Sequence, residues 1–402
     1  EDPDISIRGQ STLSGETDPL IVVDGVIYRG SLIDINPNDI KSVDILRDAS
    51  SKAIYGSQAS NGVIQIVTTG GKGEPSIKYT GRFSLQRPHH EIRAEMDGDK
   101  FMEKIAHSDL IQSRTEESGY LEPNPDWAET TNFKTNHEIT QFELGRTYDW
   151  YDGLTTDNPY TISHNVSVSN STERSNYFGS IGYTEQDGHM IDEYYERING
   201  RFNFSSSLTD WFELDFQSFV TISEWGPQIL GTSDRFIEPY ATPYDENGEI
   251  VQRPYGNPVN PLIEIEAESE DKRLNLGANI TGNIFLPVKG LKYQMRFGNN
   301  YLTTQRNYFA SYGNSFTGLG YKRLQANYTL SLDNILTYSR LFNQIHQVDV
   351  TLLYGIEKRE SEYTRAEGAN FANHVLGFDL LQAADAALQA VESGGWQESS
   401  LY

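Results

Sequence analysis

Several stretches of this chain alternate apolar and polar residues, some for roughly a dozen positions, and nothing else in it constrains the fold so tightly. From Arg273 to Pro287, Leu274, Leu276, Ala278, Ile280, Ile284 and Leu286 share one parity, and Asn275, Gly277, Asn279, Thr281 and Asn283 share the other. Residues 211 to 222 set Phe212, Leu214, Phe216, Val220 and Ile222 against Glu213, Asp215, Gln217 and Thr221. Residues 324 to 338 repeat the pattern, and His346, Val348, Val350, Leu352, Tyr354 and Ile356 form a further apolar face. Weaker versions occur at 77–85, 162–169, 176–186, 197–208 and 291–303. A period of two puts the two sets on opposite faces of a sheet. A sandwich with one wet face is the commoner source of such a pattern. Strand length favours another answer, because soluble strands cluster near ~5–6 residues. Tilted strands of about ten residues or more, apolar outside and polar inside, are what a membrane barrel needs. The expected fold is therefore mainly β, a transmembrane antiparallel β-barrel, with Trp211, Tyr293, Tyr301 and Tyr338 near strand ends as interfacial aromatics.

Composition narrows the partners. The 57 acidic and 32 basic side chains leave a formal charge of −25, so a polyanion such as nucleic acid is a poor partner. With no cysteine, disulfides, thiolate catalysis and Cys-ligated metal centres are excluded. The longest aliphatic run, Leu20 to Val23, is far short of the ~20 residues of a spanning helix. The 24 Tyr, 18 Phe and 34 Gly suit a β protein.

Before residue 74 the texture differs, and residues 1–73 read as a small α/β unit. Pro19 to Val23 is a strand run closed by the turn dipeptide Asp24-Gly25. Asn36-Pro37 reads as a cap and first-turn proline opening a very short helical segment through Asp39. Ser42 to Leu46 alternates as a strand. Asp48-Ala49-Ser50 starts a turn or two of helix ending at Tyr55-Gly56, with glycine at the C-cap position. Asn61-Gly62 leads into a β run to Thr69, and Gly70-Gly71-Lys72-Gly73 forms a flexible exit. Residues 74–402 hold the alternating strands, interrupted at about 86–161 and 223–273. The first insertion carries one helix, Gly98 to Ser108, and the second is rich in proline and aromatics. Long barrel loops face outward and short turns face the periplasm. The stretch Leu380 to Glu392 is helix-like and Ala-rich, a loop before the next strand.

Motifs for catalysis or metal binding are weak. Gly70-Gly71-Lys72-Gly73 lacks phosphate-loop spacing and precedes a strand. Asp97-Gly98-Asp99 reads as a helix start, His89-His90 has no third ligand at useful spacing, and the acidic run Glu264 to Asp271 reads as solvated charge. Sequons at Asn165, Asn170, Asn203, Asn279 and Asn327 mostly lie within strands. No nucleophile–base arrangement appears, so no cofactor, metal site or catalytic residue is expected, and the chain does not read as an enzyme.

One set of residues points to a family. Ile7-Arg8-Gly9, Pro19 to Val26, Ile35 to Ile40, Val43 to Ala49, Ala53 to Gly56 and Asn61 to Ile64 resemble, in order and spacing, the plug signature of TonB-dependent outer-membrane transporters of the SusC/RagA branch of Bacteroidota. His164 to Ser169, Asn176 to Tyr183 and Arg197 to Asn203 resemble that family's early barrel strands. The resemblance marks Arg8, Gly9, Asp24, Gly25, Asn36, Pro37, Asp39, Asp48, Ala49, Tyr55, Gly56, Asn61 and Gly62 as structural plug residues, and it assigns no ligand contact.

The resemblance implies a plug filling the lumen of a bacterial outer-membrane barrel. It also implies active import of an oligosaccharide or peptide, energy from the TonB-ExbB-ExbD complex, and a SusD-like surface lipoprotein as partner. A non-transporting adhesive barrel and a siderophore- or cobalamin-type receptor are the alternatives. Such barrels close ~22 strands, whereas roughly nine are countable here. An open sheet would leave unpaired backbone in lipid, so the expectation is a fragment: the later part of the plug and the first portion of the barrel.

Overall fold

The computed structural model describes residues 19–28, 30–46, 59, 61–71, 73–87, 98–108, 113–119, 121–128, 130, 133–156, 158–226, 238–256, 259–265, 267–310, 318–373 and 375–401. Arg8, Gly9, Asp48, Ala49, Tyr55, Gly56 and the His89-His90 pair lie outside them.

A small four-stranded sheet comes first. Strands β1 (Leu20–Val23) and β2 (Val26–Ile27) form an antiparallel hairpin. Asp24 and Gly25 have φ of 51° and 87°, the left-handed pair whose twist matches flanking strands. Next come two 3₁₀ turns, Leu32–Asp34 and Pro37–Asp39. The Asn36 side chain caps the second by accepting from Asn38 N at 3.0 Å, with Pro37 at the first helical position, as expected. Strands β3 (Ile40–Leu46) and β4 (Val63–Thr68) complete the order β2-β1-β4-β3. Asn61 and Gly62, the latter at φ 103°, turn the chain into β4. The central strands β1 and β4 are covered on both faces, with Val22 and Val63 buried on one and Ile64 and Ile66 on the other.

Ten strands then form one antiparallel sheet in strict sequence order. They are β5 (Ser76–Leu85), β6 (Tyr160–Ser171), β7 (Ser175–Asp187), β8 (Tyr194–Thr209), β9 (Phe212–Trp225), β10 (Glu268–Phe285), β11 (Leu291–Ala310), β12 (Leu319–Phe342), β13 (His346–Ala369) and β14 (Ala390–Leu401). The sheet does not close within this chain. The predicted faces appear: Ile181 is 70% exposed and Leu352 63% on the apolar face, while Asn275 is 0% exposed on the other. No described helix is long and apolar enough to cross a membrane, which says nothing of crossing by strands.

Three expectations need correction. The count of nine strands misses β14, which begins inside the stretch expected to be helical. There the chain makes two 3₁₀ segments, Gly377–Ala383 and Ala386–Leu388, and then pairs with β13. The strand hides because Val391 and Trp396 fall on opposite faces and Gly394-Gly395 interrupts its pattern. The second insertion is shorter than expected, because β9 runs to Trp225 and β10 starts at Glu268. Charges there are paired rather than a solvated run: Asn307 Nδ2 of β11 donates to Glu270 at 2.7 Å, and Lys272 pairs with Glu270 of its own strand and with Glu224 of β9. The glycine-rich exit is also not loose at Gly71, where an added Cβ would stand 2.1 Å from the Asn170 carbonyl oxygen.

The two ends of the large sheet differ. Turns at 172–174, 210–211, 286–290 and 343–345 are short, while the connections at 86–159, 226–267 and 370–389 are long. The first two long connections fold together. Helix α1 (Gly98–Ser108), as predicted, and helix α2 (Asn136–Glu143) pack Phe101, Ile105 and Phe142 around Tyr240. Helix α3 (Trp150–Leu154) packs Trp150 and Leu154 against Leu262, and Trp150 Nε1 donates to Ala241 O at 3.0 Å. The third long connection lies back on the apolar face of β11 to β13, where Phe371, Leu381 and Ala384 surround Phe309.

Candidate functional site

The small sheet sits against the polar face of the large one, and the seam between them is built from charge. Asp24, at the hairpin turn, accepts from Thr68 N at 2.7 Å and from Thr68 Oγ1 at 2.6 Å, which ties β1 to the end of β4. Its Oδ2 also lies 3.9 Å from Arg201 of β8, and Arg201 Nε lies 3.7 Å from Asp39. One arginine thus stands between two buried plug carboxylates. Two strands along, Arg273 of β10 lies 3.8 Å from Asp34. Asn275 Nδ2 donates to Asp34 at 2.8 Å and to the Tyr28 hydroxyl at 2.9 Å, and is itself held by Asn300 at 2.7 Å.

Main-chain oxygens complete the seam. Arg197 donates to Ile33 O, Thr221 Oγ1 to Asp34 O at 3.0 Å, and Arg296 to Gly25 O at 3.1 Å. Asn203 Nδ2 reaches both Thr68 Oγ1 and Thr69 O at 2.9 Å, and Asn36 Nδ2 reaches Asn199 Oδ1 at 3.4 Å. The wall residues that meet the plug sit at alternate positions of β8 (197, 199, 201, 203), the parity facing away from the apolar surface, with Asn199 accepting and the others donating. At Gly298 an added Cβ would come 2.7 Å from Val26, so this glycine lets the hairpin approach the wall.

Burial sets the protonation of the seam. It pushes the Asp39 carboxyl above the usual carboxylate range, opposed by the positive charge of Arg201 and Arg197. It pushes the Tyr28 hydroxyl up as well, and nearby Asp34 adds to this. Tyr28 stays a neutral donor, 3.2 Å from Ser31 O, with its ring edge-on to Phe219. Among the described residues no group of three or more His, Asp or Glu could hold a metal ion.

Of the residues singled out from sequence, Asp24, Gly25, Asn36 and Asp39 meet the wall at this seam. Pro37 shapes the turn that presents Asp39, and Asn61 and Gly62 shape the small sheet. Sequence reasoning missed the counter-charges Arg197, Arg201, Arg273 and Arg296, and also Asp34 and Asn275. The available signal was arginine at polar-parity positions within strands, as in Arg197-Ile-Asn-Gly-Arg201.

An antiparallel wall, apolar on one face and polar on the other, with a small α/β unit ion-paired to the polar face, is the arrangement of a plugged β-barrel. The TonB-dependent receptor plug domain matches residues 1–63. A TonB-dependent receptor of Formosa agariphila is 24% identical over 418 aligned positions, covering 99% of this chain and 40% of the relative. The TonB-dependent receptor SusC of Bacteroides thetaiotaomicron is 30% identical over 214 residues, 51% of this chain and 18% of SusC. A solved structure of the RagAB peptide importer shares the fold with a TM-score of 0.75 at 22% identity, covering 99% of this chain and 47% of the matched one. The chain therefore resembles TonB-dependent receptors of the SusC/RagA type, and these relatives are receptors rather than enzymes. It spans less than half the length of these relatives.

Proposed function

We propose that the protein to which this chain belongs imports oligomeric nutrients, an oligosaccharide or a peptide, across the bacterial outer membrane. Residues 1–73 act as plug, and residues 74–402 supply the first strands of a multi-pass barrel whose long loops face outward. The observation carrying this reading is the seam itself. The plug is held against the wall by a few ion pairs and hydrogen bonds, notably Asp24–Arg201–Asp39 and Asp34–Arg273. Contacts of that kind hold a plug at rest and release it when work is supplied. The TonB-ExbB-ExbD complex is the source of that work, and no nucleotide site is needed. A SusD-like lipoprotein caps the outer end, where the two interlocked long loops offer a folded platform. The residues of the plug signature are read as structural, and no ligand contact is assigned to them.

Growth on a panel of oligosaccharides and peptides tests the reading, comparing a gene deletion with its parent in TonB-competent and TonB-depleted cells. Loss of growth on one oligomer in both the deletion and the depleted strain is expected. Growth that survives TonB depletion, or a deletion that affects only surface attachment, would overturn it.

A further inference from the structure

Arg306, Arg323 and Arg365 stand directly opposite one another on β11, β12 and β13. Like charges placed so are unfavourable in a sheet, and they are unexpected in a chain of formal charge −25. Their face is fixed by Arg306, which lies 3.7 Å from Asp271. Asp271 shares its side of β10 with Arg273, which reaches plug Asp34. The arginine row therefore faces the lumen, on the long-loop side of the plug seam. Compensation is incomplete. Arg306 has Asp271, and Arg365 has Glu367 at 2.7 Å. Arg323, in the middle, has Gln325 Oε1 at 3.2 Å and, among the described residues, no carboxylate within ion-pair distance.

Aromatic rings flank the row. Tyr308 and Tyr321, next toward the long loops, stack at 5.4 Å and 22°. The Arg365 guanidinium lies 4.7 Å from the Tyr321 ring centre, and that of Arg323 lies 5.7 Å from that of Tyr363. The rings hold the guanidinium planes in place, and the side chains stay accessible: 49% for Arg306 and 33% for Arg365. We propose that Arg306, Arg323 and Arg365, with Tyr308, Tyr321 and Tyr363, form a lumen subsite for an acidic oligosaccharide whose carboxylate or sulfate group seats on Arg323. Planar guanidinium groups match oxyanions, and tyrosine rings bury the apolar faces of sugars. A peptide main chain is a poorer fit, because the backbones of β11 to β13 pair with one another along their length and offer no edge for strand addition.

This inference rests on the import reading and names its substrate class. Calorimetric titration of the purified native protein in detergent tests it with four probes of equal length: an oligogalacturonate, a sulfated oligosaccharide, a neutral oligosaccharide and an oligoglutamate. At least one acidic sugar is expected to bind roughly tenfold or more tightly than the neutral one. Arg323→Gln is expected to remove that advantage and Arg323→Lys to keep part of it. Which acidic sugar binds separates carboxylate from sulfate. The proposal is overturned if neither acidic sugar binds, if the neutral sugar or the oligoglutamate binds as well, or if a folded Arg323→Gln protein binds unchanged. TonB-dependent growth on a neutral oligomer would leave the import reading standing and remove the subsite. Acidic-sugar binding with TonB-independent uptake would do the reverse.

Discussion

Arg201 Nε lies 3.7 Å from Asp39 Oδ2, and both side chains are almost closed to solvent, at 6% and 2% exposure. This contact joins a strand of the barrel wall to a 3₁₀ turn of the plug, and Asp24 completes it from the other side at 3.9 Å. Removing Arg201 leaves two carboxylates buried with their shared counter-charge gone, and breaking a buried pair in this way costs about 3–5 kcal/mol. Arg201→Leu is expected to raise hydrogen exchange throughout the segment 31–40 and in β1, while the amides of β6 to β10 stay protected. Unchanged exchange in the plug would refute this.

Asp39 itself should respond differently. Its carboxyl titrates above its ordinary value because of burial. Its contribution to plug stability is therefore fully present below the unfolded carboxylate pKa and is lost as pH rises through the raised folded value. Protection factors of residues 33–39, which remove the intrinsic pH dependence of exchange, should accordingly be larger at pH 5 than at pH 7.5. Asp39→Asn, which stays neutral, should lose that dependence and match or exceed the parent's protection at pH 7.5. The comparison of the two proteins isolates Asp39 from the other carboxylates of the seam.

Two glycines of one motif are expected to part company. An added Cβ at Gly71 meets the Asn170 carbonyl oxygen at 2.1 Å and the Tyr177 backbone at 2.6 Å, so backbone must move. Gly71→Ala should cost about 1–3 kcal/mol, as overpacking does. Gly73 has φ +61° and open space around it, a conformation asparagine tolerates, so Gly73→Asn should be nearly silent. The unfolding temperature of each variant in detergent reports the difference.

Trp150 is 3% exposed at the junction of two long connections, with its indole N–H on Ala241 O. Trp150→Ala removes a buried ring worth about 3–5 kcal/mol. Limited proteolysis should then open residues 98–156 and 238–265 at the same protease concentration, because they share one core. Cleavage in only one of them would show that they fold separately.

How much of this was written legibly depends on how far apart the interacting residues lie. The wall was plain because each strand face meets a single environment, so Leu274 to Leu286 reports its orientation residue by residue. The last strand was not, since Val391, Gly394, Gly395 and Trp396 break that alternation and its register comes from β13. Strand ends were set too short wherever apolar residues gave way to paired charges, as at Glu268 to Lys272. Within the plug, local chemistry showed the turns at Asp24-Gly25 and Asn36-Pro37. Why Asp24 and Asp39 are acidic was not visible, because their counter-charge arrives from Arg201, far along the chain.

Four of the contacts that seat the plug are strung along one short piece of backbone, with Ile33, Asp34, Asn36 and Asp39 each gripping the wall at its own point. A load on one end of that piece would meet these grips in succession. Grips in series let go one at a time, the neutral Asn36–Asn199 bond for about 0.5–1.5 kcal/mol and a bond to a charged group for about 1.5–3 kcal/mol, whereas grips sharing a load side by side must fail together. The seam is arranged to be peeled rather than sheared. It withstands thermal jostling in every direction and gives way to a steady pull in one.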